Sequence, residues 1–366
     1  MKILYDYQIL TLQKYGGISR YFYELIEGIN KTNNRAKIKC IHSVNYYFRN
    51  MLKEHDEMKG RKWSFFYRIN RLYNRIVSRG YYDIIHPTYY DNYILKAKSP
   101  KRKLVVTVYD MIHEKFEKEY PEKFRDTNDI AMKKRMIYES DHIIAISEST
   151  KRDILEIYRD IPEEKISVIY LGMSKNSLDG VCMENDVPNK YILFVGQRGA
   201  YKNFSTFVDA VNPILDTEKE IYVVCAGGGA FTDEEMNRMK ENRSRFIQYN
   251  ATDDLLTYLY NHALCFVFPS LYEGFGIPTL EAFSNNCPVV LSNTSSMPEV
   301  GGDAAIYFDP SDVEEMSSRI KEVIFSEVLR NKMIEKGKAR LSLFEWDTIV
   351  GQTLECYKKV CSSLAK

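Results

Sequence analysis

The sequence predicts an α/β protein made of two doubly wound, Rossmann-like domains. Three observations carry that expectation. Strand-like and helix-like segments alternate along the chain, and the alternation runs twice. A polar break at 172–190, holding Asn176, Asp179, Gly180, Glu184, Asn185, Asp186 and Pro188, separates the two runs. The chain has 366 residues, more than the ~250–300 that one core usually serves. The expected division is 1–171 for the first domain, 172–345 for the second, and 346–366 as a final helix that packs back on the first.

In the first half the strand-like runs are 2–5, 38–42, 83–86, 104–108, 142–146 and 165–170. Between them lie helical patterns, clearest over 18–29, where Ile18, Phe22, Leu25, Ile26 and Ile29 share one face. In the second half the runs are 191–195, 221–226, 245–249, 264–268, 289–292 and 305–308, with helices including 253–261 and 312–325. Segment 346–364 reads as a helix with Ile349, Leu354, Tyr357 and Val360 among its apolar positions. Strand–helix alternation of this kind builds parallel sheets covered on both faces. Ligands of such sheets bind beyond the carboxyl ends of the strands, so two facing domains predict one cleft between them.

Composition narrows the function. The net charge of +1 argues against a bulk nucleic-acid binder. The seven cysteines are odd in number and scattered, with no C-x-x-C, which reads as reduced thiols in a cytoplasmic protein. The first ten residues, MKILYDYQIL, read as a first strand and not as a signal peptide. The longest uncharged window, 255–272, is interrupted by Asn261, His262 and Pro269 and reads as helix, turn and strand.

The most informative stretch is FPSLYEGFGIPTLE, Phe268 to Glu281. It leaves an apolar strand, turns through Gly274 and Gly276, and enters a helix at Pro278, which suits a first helical turn. Free amides of Thr279 and Leu280 at that helix start would suit an anion. Glu273 and Glu281 flank it and could accept from sugar or ribose hydroxyls. Taken alone, a strand–loop–helix corner with incidental glutamates fits equally. Arg198 and Lys202 follow the 191–195 strand and are placed to neutralise a diphosphate; a solvated loop is the plainer reading. Gly16-Gly17 before a helix lets backbone approach a ligand, though double glycine is also common punctuation. Asp110 and His113 lie just past the 104–108 strand, where Asp110 would serve equally as a helix cap.

Together these segments resemble the retaining glycosyltransferases of family 4, which have the GT-B fold of two facing Rossmann-like domains. GGISRY resembles the N-terminal glycine loop, VTVYDMIHEKFEKEYP the segment of the active-site histidine, and ILFVGQRGAYKNF the phosphate loop. FPSLYEGFGIPTLEAFSNNCPVVLSNTSSMPEVGGDAAIYFDPSD is the most specific match and carries the family's E-x7-E pair as Glu273 and Glu281. The resemblance implies transfer of a hexose, mannose-type or related, from a GDP- or UDP-linked donor to a glycan or lipid-linked glycan, in surface polysaccharide biosynthesis. It implies that Gly17, Arg198, Lys202, Thr279 and Leu280 hold the donor phosphates. Glu273, Phe275, Gly276 and Ile277 would hold the sugar and Glu281 the ribose. Catalytic roles would fall to Glu273 and to Asp110 or His113. Many family members carry His immediately before the Asp, and this chain has Tyr109. No D-x-D motif occurs, so no essential metal and no other cofactor is expected. Asp253-Asp254 reads as a helix start.

Three other readings share these features. A sugar-nucleotide epimerase would use the same donor site without an acceptor surface. An NAD-dependent dehydrogenase is invited by Gly227-Gly228-Gly229, but Thr232 breaks G-x-G-x-x-G. A non-catalytic nucleotide-sugar sensor would bind without turnover. Finally, residues 31–82 are strongly basic, opposed only by Glu54, Asp56 and Glu57, and are interleaved with aromatics. This favours peripheral docking on the anionic inner face of a membrane, with 63–77 as an interfacial helix. A basic helix packed through its aromatics onto the first domain fits the same pattern.

Overall fold

A computed structural model describes residues 1–14, 16–49, 61–124, 127–173 and 187–362. Most of the expected polar linker, Lys53 and Lys59 of the basic stretch, and its three acidic residues lie outside them. The chain divides into two compact units: Met1–Gly172 with Glu345–Lys366, and Met173–Phe344.

Unit 1 holds a parallel six-stranded sheet of β1 (Lys2–Tyr5), β2 (Arg35–Ile38), β3 (Ile84–His86), β4 (Lys103–Val108), β5 (His142–Ala145) and β6 (Ile166–Val168), in the order β2-β1-β3-β4-β5-β6. β2 comes earlier than the 38–42 expected from apolar pattern. After Lys39 donates to the Tyr5 carbonyl, the chain leaves the sheet. Asn70 and Asn74, buried on the Arg61–Val77 helix, then take over its backbone. Asn70 Oδ1 accepts from the Ile41 and His42 amides at 2.7 and 3.2 Å, and Asn74 Nδ2 donates to the Lys39 carbonyl at 2.9 Å. Side-chain amides substitute for a ladder there, as buried backbone requires.

The Trp346–Ser362 helix belongs to unit 1. Its Ile349 and Tyr357 are fully buried. The Tyr357 hydroxyl bonds to the Tyr5 hydroxyl at 2.8 Å and to His86 Nδ1 at 2.6 Å, while His86 Nε2 reaches Thr107 Oγ1 at 2.8 Å. Burial lowers the His86 pKa to about 3 and keeps the ring neutral.

Unit 2 holds β7 (Tyr191–Val195), β8 (Tyr222–Ala226), β9 (Phe246–Tyr249), β10 (Cys265–Phe268), β11 (Val289–Ser292) and β12 (Ala305–Phe308), all parallel, in the order β12-β11-β10-β7-β8-β9. The order reverses between β7 and β10, and a crevice opens at such a switch point beyond the strand ends. The core beneath is apolar: Phe194, Phe204, Phe207, Val211, Ile214, Val267 and Val290 are all buried in one cluster. The Asp253–His262 helix is capped by Thr252, whose side chain accepts from the Leu255 amide, and both aspartates lie in its first turn as expected.

Candidate active site

In unit 2 the loops that follow β7 and β10 meet at the switch point. Lys202 Nζ lies 2.6 Å from Glu273 Oε1, with the two side chains 15% and 13% exposed. Asn203 holds the first loop. It takes a left-handed φ of 57° and its Nδ2 donates to the carbonyls of Pro269 and Pro310 at 3.1 and 2.7 Å. The Leu271 amide donates to the Tyr201 carbonyl at 2.8 Å and ties the two loops together.

The loop after β11 holds the second one. Ser295 Oγ accepts from the Glu273 amide at 3.0 Å, and Ser296 Oγ donates to the carbonyls of Glu273 and Phe275, both at 2.9 Å. Gly276 is required where it stands: its φ is +102°, and a Cβ there would come 2.5 Å from Met297 Cε. Ile277 opens the Ile277–Ser284 helix and Pro278 sits in its first turn. Phe275 is buried, edge-on to Phe344. Glu281 accepts from the Tyr260 hydroxyl at 3.3 Å. Burial, followed by the Glu281 charge, pushes the Tyr260 phenol well up, so it stays a donor.

Two expectations are corrected here. The Thr279 amide is not free, because it donates to the Gly276 carbonyl at 2.9 Å. Thr279 and Leu280 are both fully buried, so neither side chain presents itself to a phosphate. Arg198 does not reach outward either. Its side chain is 3% exposed and pairs with Glu235 at 2.9 Å. Its remaining nitrogens donate to the carbonyls of Gly227, Gly229 and Ala230 at 2.9, 2.9 and 2.7 Å, and it lies 4.6 Å from the Phe231 ring centre. The triple glycine is part of that arrangement. Gly227, Gly228 and Gly229 all have positive φ, and a Cβ on Gly228 would come 2.5 Å from Arg198 Nη1. The run that invited a dinucleotide reading thus serves as a seat for an arginine.

In unit 1, Gly17 begins the Gly17–Asn30 helix. A Cβ at the preceding Gly16 would come 2.6 Å from Gln13 Oε1, the end of a side chain that can move aside. Asp110 Oδ1 accepts from the Ile112 amide at 3.1 Å in a local turn, but it is not the helix cap: Met111 holds that position and makes no side-chain cap bond. His113 stands on the Ile112–Phe116 helix, edge-on to Phe124. Tyr109 is turned inward and its hydroxyl donates to the Thr88 carbonyl at 3.2 Å.

Sequence reading missed Lys133, which organises this segment. Its side chain is 4% exposed, lies 2.8 Å from Glu114 Oε2 and 3.9 Å from Asp110 Oδ1, and donates to the Asp110 carbonyl at 3.1 Å. Nothing in its sequence neighbourhood, Ala131-Met-Lys133-Lys-Arg, separates it from its solvated neighbours. Asp6 was missed as well. Fully buried at the β1/β3 switch of unit 1, it accepts from the Thr88 amide and hydroxyl, Gln8 Nε2 and the Tyr93 hydroxyl, at 2.7 to 2.9 Å. At that switch the carboxylate is satisfied by the chain's own donors. In unit 2 the corresponding place carries an ion pair.

Comparison with known proteins identifies the family. Residues 184–340 match the model described as "Glycosyl transferases group 1", and residues 15–176 match "Glycosyltransferase Family 4". The chain belongs to the family 4, group 1 glycosyltransferases.

Among its relatives is O-antigen chain mannosyltransferase B of Escherichia coli, 30% identical over 59% of this chain and 60% of that protein. Another is O-antigen chain mannosyltransferase RfbU of Salmonella typhimurium, 30% identical over 50% of each. The matches thus span half to three fifths of these relatives. A glycosyltransferase structure from Rickettsia africae covers 98% of both chains with a TM-score of 0.70 at 19% identity. HepE of Anabaena, solved with UDP and glucose, covers 98% of this chain and 99% of its own with a TM-score of 0.68 at 17% identity. These likenesses are to the two-domain GT-B fold.

Proposed function

We propose that this chain transfers a hexose, of mannose type or related, from a nucleotide diphosphate-sugar to a hydroxyl of a glycan or lipid-linked glycan during surface polysaccharide assembly. The observation that carries the reading is the Lys202–Glu273 pair at the β7/β10 switch point. An ion pair so placed is ready to be exchanged. The donor diphosphate takes Lys202 as its partner, and the freed Glu273 carboxylate accepts from a sugar hydroxyl. The start of the Ile277–Ser284 helix adds its dipole on the phosphate side. Glu281 takes the ribose hydroxyls.

As the sugar leaves, the C1–oxygen bond to the diphosphate breaks and its electron pair stays with the phosphate. The acceptor oxygen bonds C1 on the same face and passes its proton to the departing diphosphate oxygen. The growing phosphate charge is met by Lys202, a preformed cation in a largely desolvated site, and this is the largest electrostatic task. No residue set for a metal is invoked, in keeping with the lack of D-x-D. Asp110, poised by Lys133, and the neighbouring His113 are the unit 1 groups we assign to the acceptor. The mannosyltransferase relatives support the donor class, and HepE's ligands support a nucleotide-sugar in general.

The Arg61–Val77 helix supports docking on an anionic membrane. It buries Asn70 and Asn74, yet Phe65, Leu72 and Ile76 on it are exposed. Phe66 and Tyr67 turn inward with the two asparagines, to His42 and Asp91, so the three exposed apolar side chains form a separate outer stripe. Arg68 and Arg75 accompany the exposed apolar positions, and no acidic residue occurs in 61–82. Among the described residues no helix is long and apolar enough to cross a membrane, so attachment would be peripheral.

The test is a panel of nucleotide-sugars in thermal shift, followed by transfer to lipid-linked glycan. A donor at a hundred times its dissociation constant stabilises by about 2.7 kcal/mol. If no nucleotide-sugar shifts melting, the donor reading is wrong. Binding without turnover favours a sensor, and interconversion of the donor sugar favours an epimerase. Co-sedimentation with anionic vesicles, lost in Leu72→Asp, tests the docking.

A further inference from the structure

The amino edge of the unit 1 sheet carries a second concave site. A cavity of about 700 Å³ opens there, lined by Lys2, Arg35, Arg79, Lys101 and Arg102 against one carboxylate, Asp83. Its volume lies within the ~300–1,000 Å³ of small-ligand pockets. Lys2 and Arg35 begin β1 and β2, and Asp83 and Arg102 immediately precede β3 and β4. The strands are parallel, so this is the edge opposite Asp110 and His113. β4 separates the two by its six residues, roughly 20 Å of extended chain.

The walls are built. Arg102 Nη1 donates to the carbonyls of Ser78 and Gly80 at 2.9 and 3.2 Å and holds the turn that presents Arg79 and Tyr81. Asp83 Oδ2 accepts from the Lys2 amide at 2.7 Å. Among the described residues Lys2, Arg35, Arg79 and Lys101 have no ion-pair partner. Five cations facing one carboxylate across a concavity focus a positive potential there. Tyr81 is 94% exposed, and Tyr82 lines the same wall. An exposed tyrosine offers an apolar ring face with a polar tip.

We propose that this cavity binds an acidic oligosaccharide, a glycan segment bearing carboxylate or phosphate groups. The cations would pair with the anionic groups, the tyrosine rings would meet sugar faces, and the second oxygen of Asp83 would accept a hydroxyl. A lipid surface fits less well, because Met1 is the only aliphatic side chain in the lining and the site is concave where a bilayer is flat. The inference stands on unit 1 alone and goes beyond the donor reading, which concerns unit 2.

The test uses the full chain with labelled tri-galacturonate as probe, by fluorescence anisotropy. Binding is expected, falling steeply with added salt and unaffected by neutral maltotriose. The double variant Arg79→Glu, Lys101→Glu should weaken it by roughly tenfold or more, with unchanged circular dichroism and unchanged thermal shift by nucleotide-sugar. The proposal is overturned if the double variant binds as well as the parent, or if inorganic phosphate competes as effectively as the trisaccharide. It is equally overturned if phosphatidylglycerol vesicles bind through these cations while tri-galacturonate does not, which would make the site a bilayer contact. Loss of the nucleotide-sugar response in the parent would count against the donor reading and leave this one untouched.

Discussion

Lys202 Nζ and Glu273 Oε1 stand 2.6 Å apart where the strand order of unit 2 reverses, each largely withdrawn from water. The two residues are 71 positions apart in the chain and come from loops after different strands. The pair requires each partner to restrain the other. Lys202→Met should therefore weaken donor binding and leave Glu273 with a half-buried, uncompensated charge. Glu273→Gln should mainly slow turnover, and Glu281→Gln should mainly raise the donor concentration needed. Steady-state kinetics separate the three. Full activity in both glutamine variants would remove the basis of the assignment.

Arg198 is expected to matter to folding first. Arg198→Ala would strip the guanidinium from three half-buried loop carbonyls and from Glu235, which keeps only the Thr232 amide, a loss of about 1–3 kcal/mol. Urea unfolding measures it. Arg198→Lys should not rescue, because one ammonium cannot reproduce the planar fork that serves four acceptors. A variant that melts like the parent yet fails to bind donor would return Arg198 to the phosphate site.

Removal of residues from Trp346 onward should abolish soluble unit 1 or lower its melting markedly. The helix carries Ile349, Tyr357 and Val360 into the core of that unit, and Tyr357 is the only described partner of His86 Nδ1. The milder Tyr357→Phe keeps the ring and strips the hydroxyl, leaving buried groups unpaired at a cost of about 1–3 kcal/mol. Unchanged melting in the truncated chain would show that the helix is dispensable.

Two buried histidines predict acid sensitivity. Burial lowers the pKa of His86 to about 3 and that of His142 to about 4. Both stay neutral in the fold while the unfolded chain takes up protons below about 6.5. The unfolded state then binds more protons, so stability falls as pH drops from about 6.5 towards those values, by roughly 2 kcal/mol per histidine at pH 5. Asp6, raised by burial ahead of its hydrogen bonds, works in the opposite sense at its own pH. The informative comparison is therefore between variants. His142→Gln should flatten the decline in urea stability between pH 7 and pH 5, and an unchanged slope would refute the account.

What the sequence determined by itself was the order of elements and the identity of the loops that bear chemistry. The runs at 2–5, 191–195, 289–292 and 305–308 became strands with those bounds; 191–195 and 289–292 are buried throughout, as apolar strands of a covered parallel sheet must be. The loop holding Glu273 was legible from its glycines and from Pro278, since local φ preferences act without distant partners. What only the tertiary structure decided was direction: which partner each side chain of a loop turns to. Arg198 and Lys202 look alike in sequence, four residues apart in one polar loop. One is drawn to Glu235 and three glycine-loop carbonyls, the other to Glu273 at the switch point. Lys133 was invisible for the same reason, because its partners Asp110 and Glu114 lie across a helix–loop contact. Ion pairing and burial are set by groups that sequence separates and folding joins, so no local pattern records them.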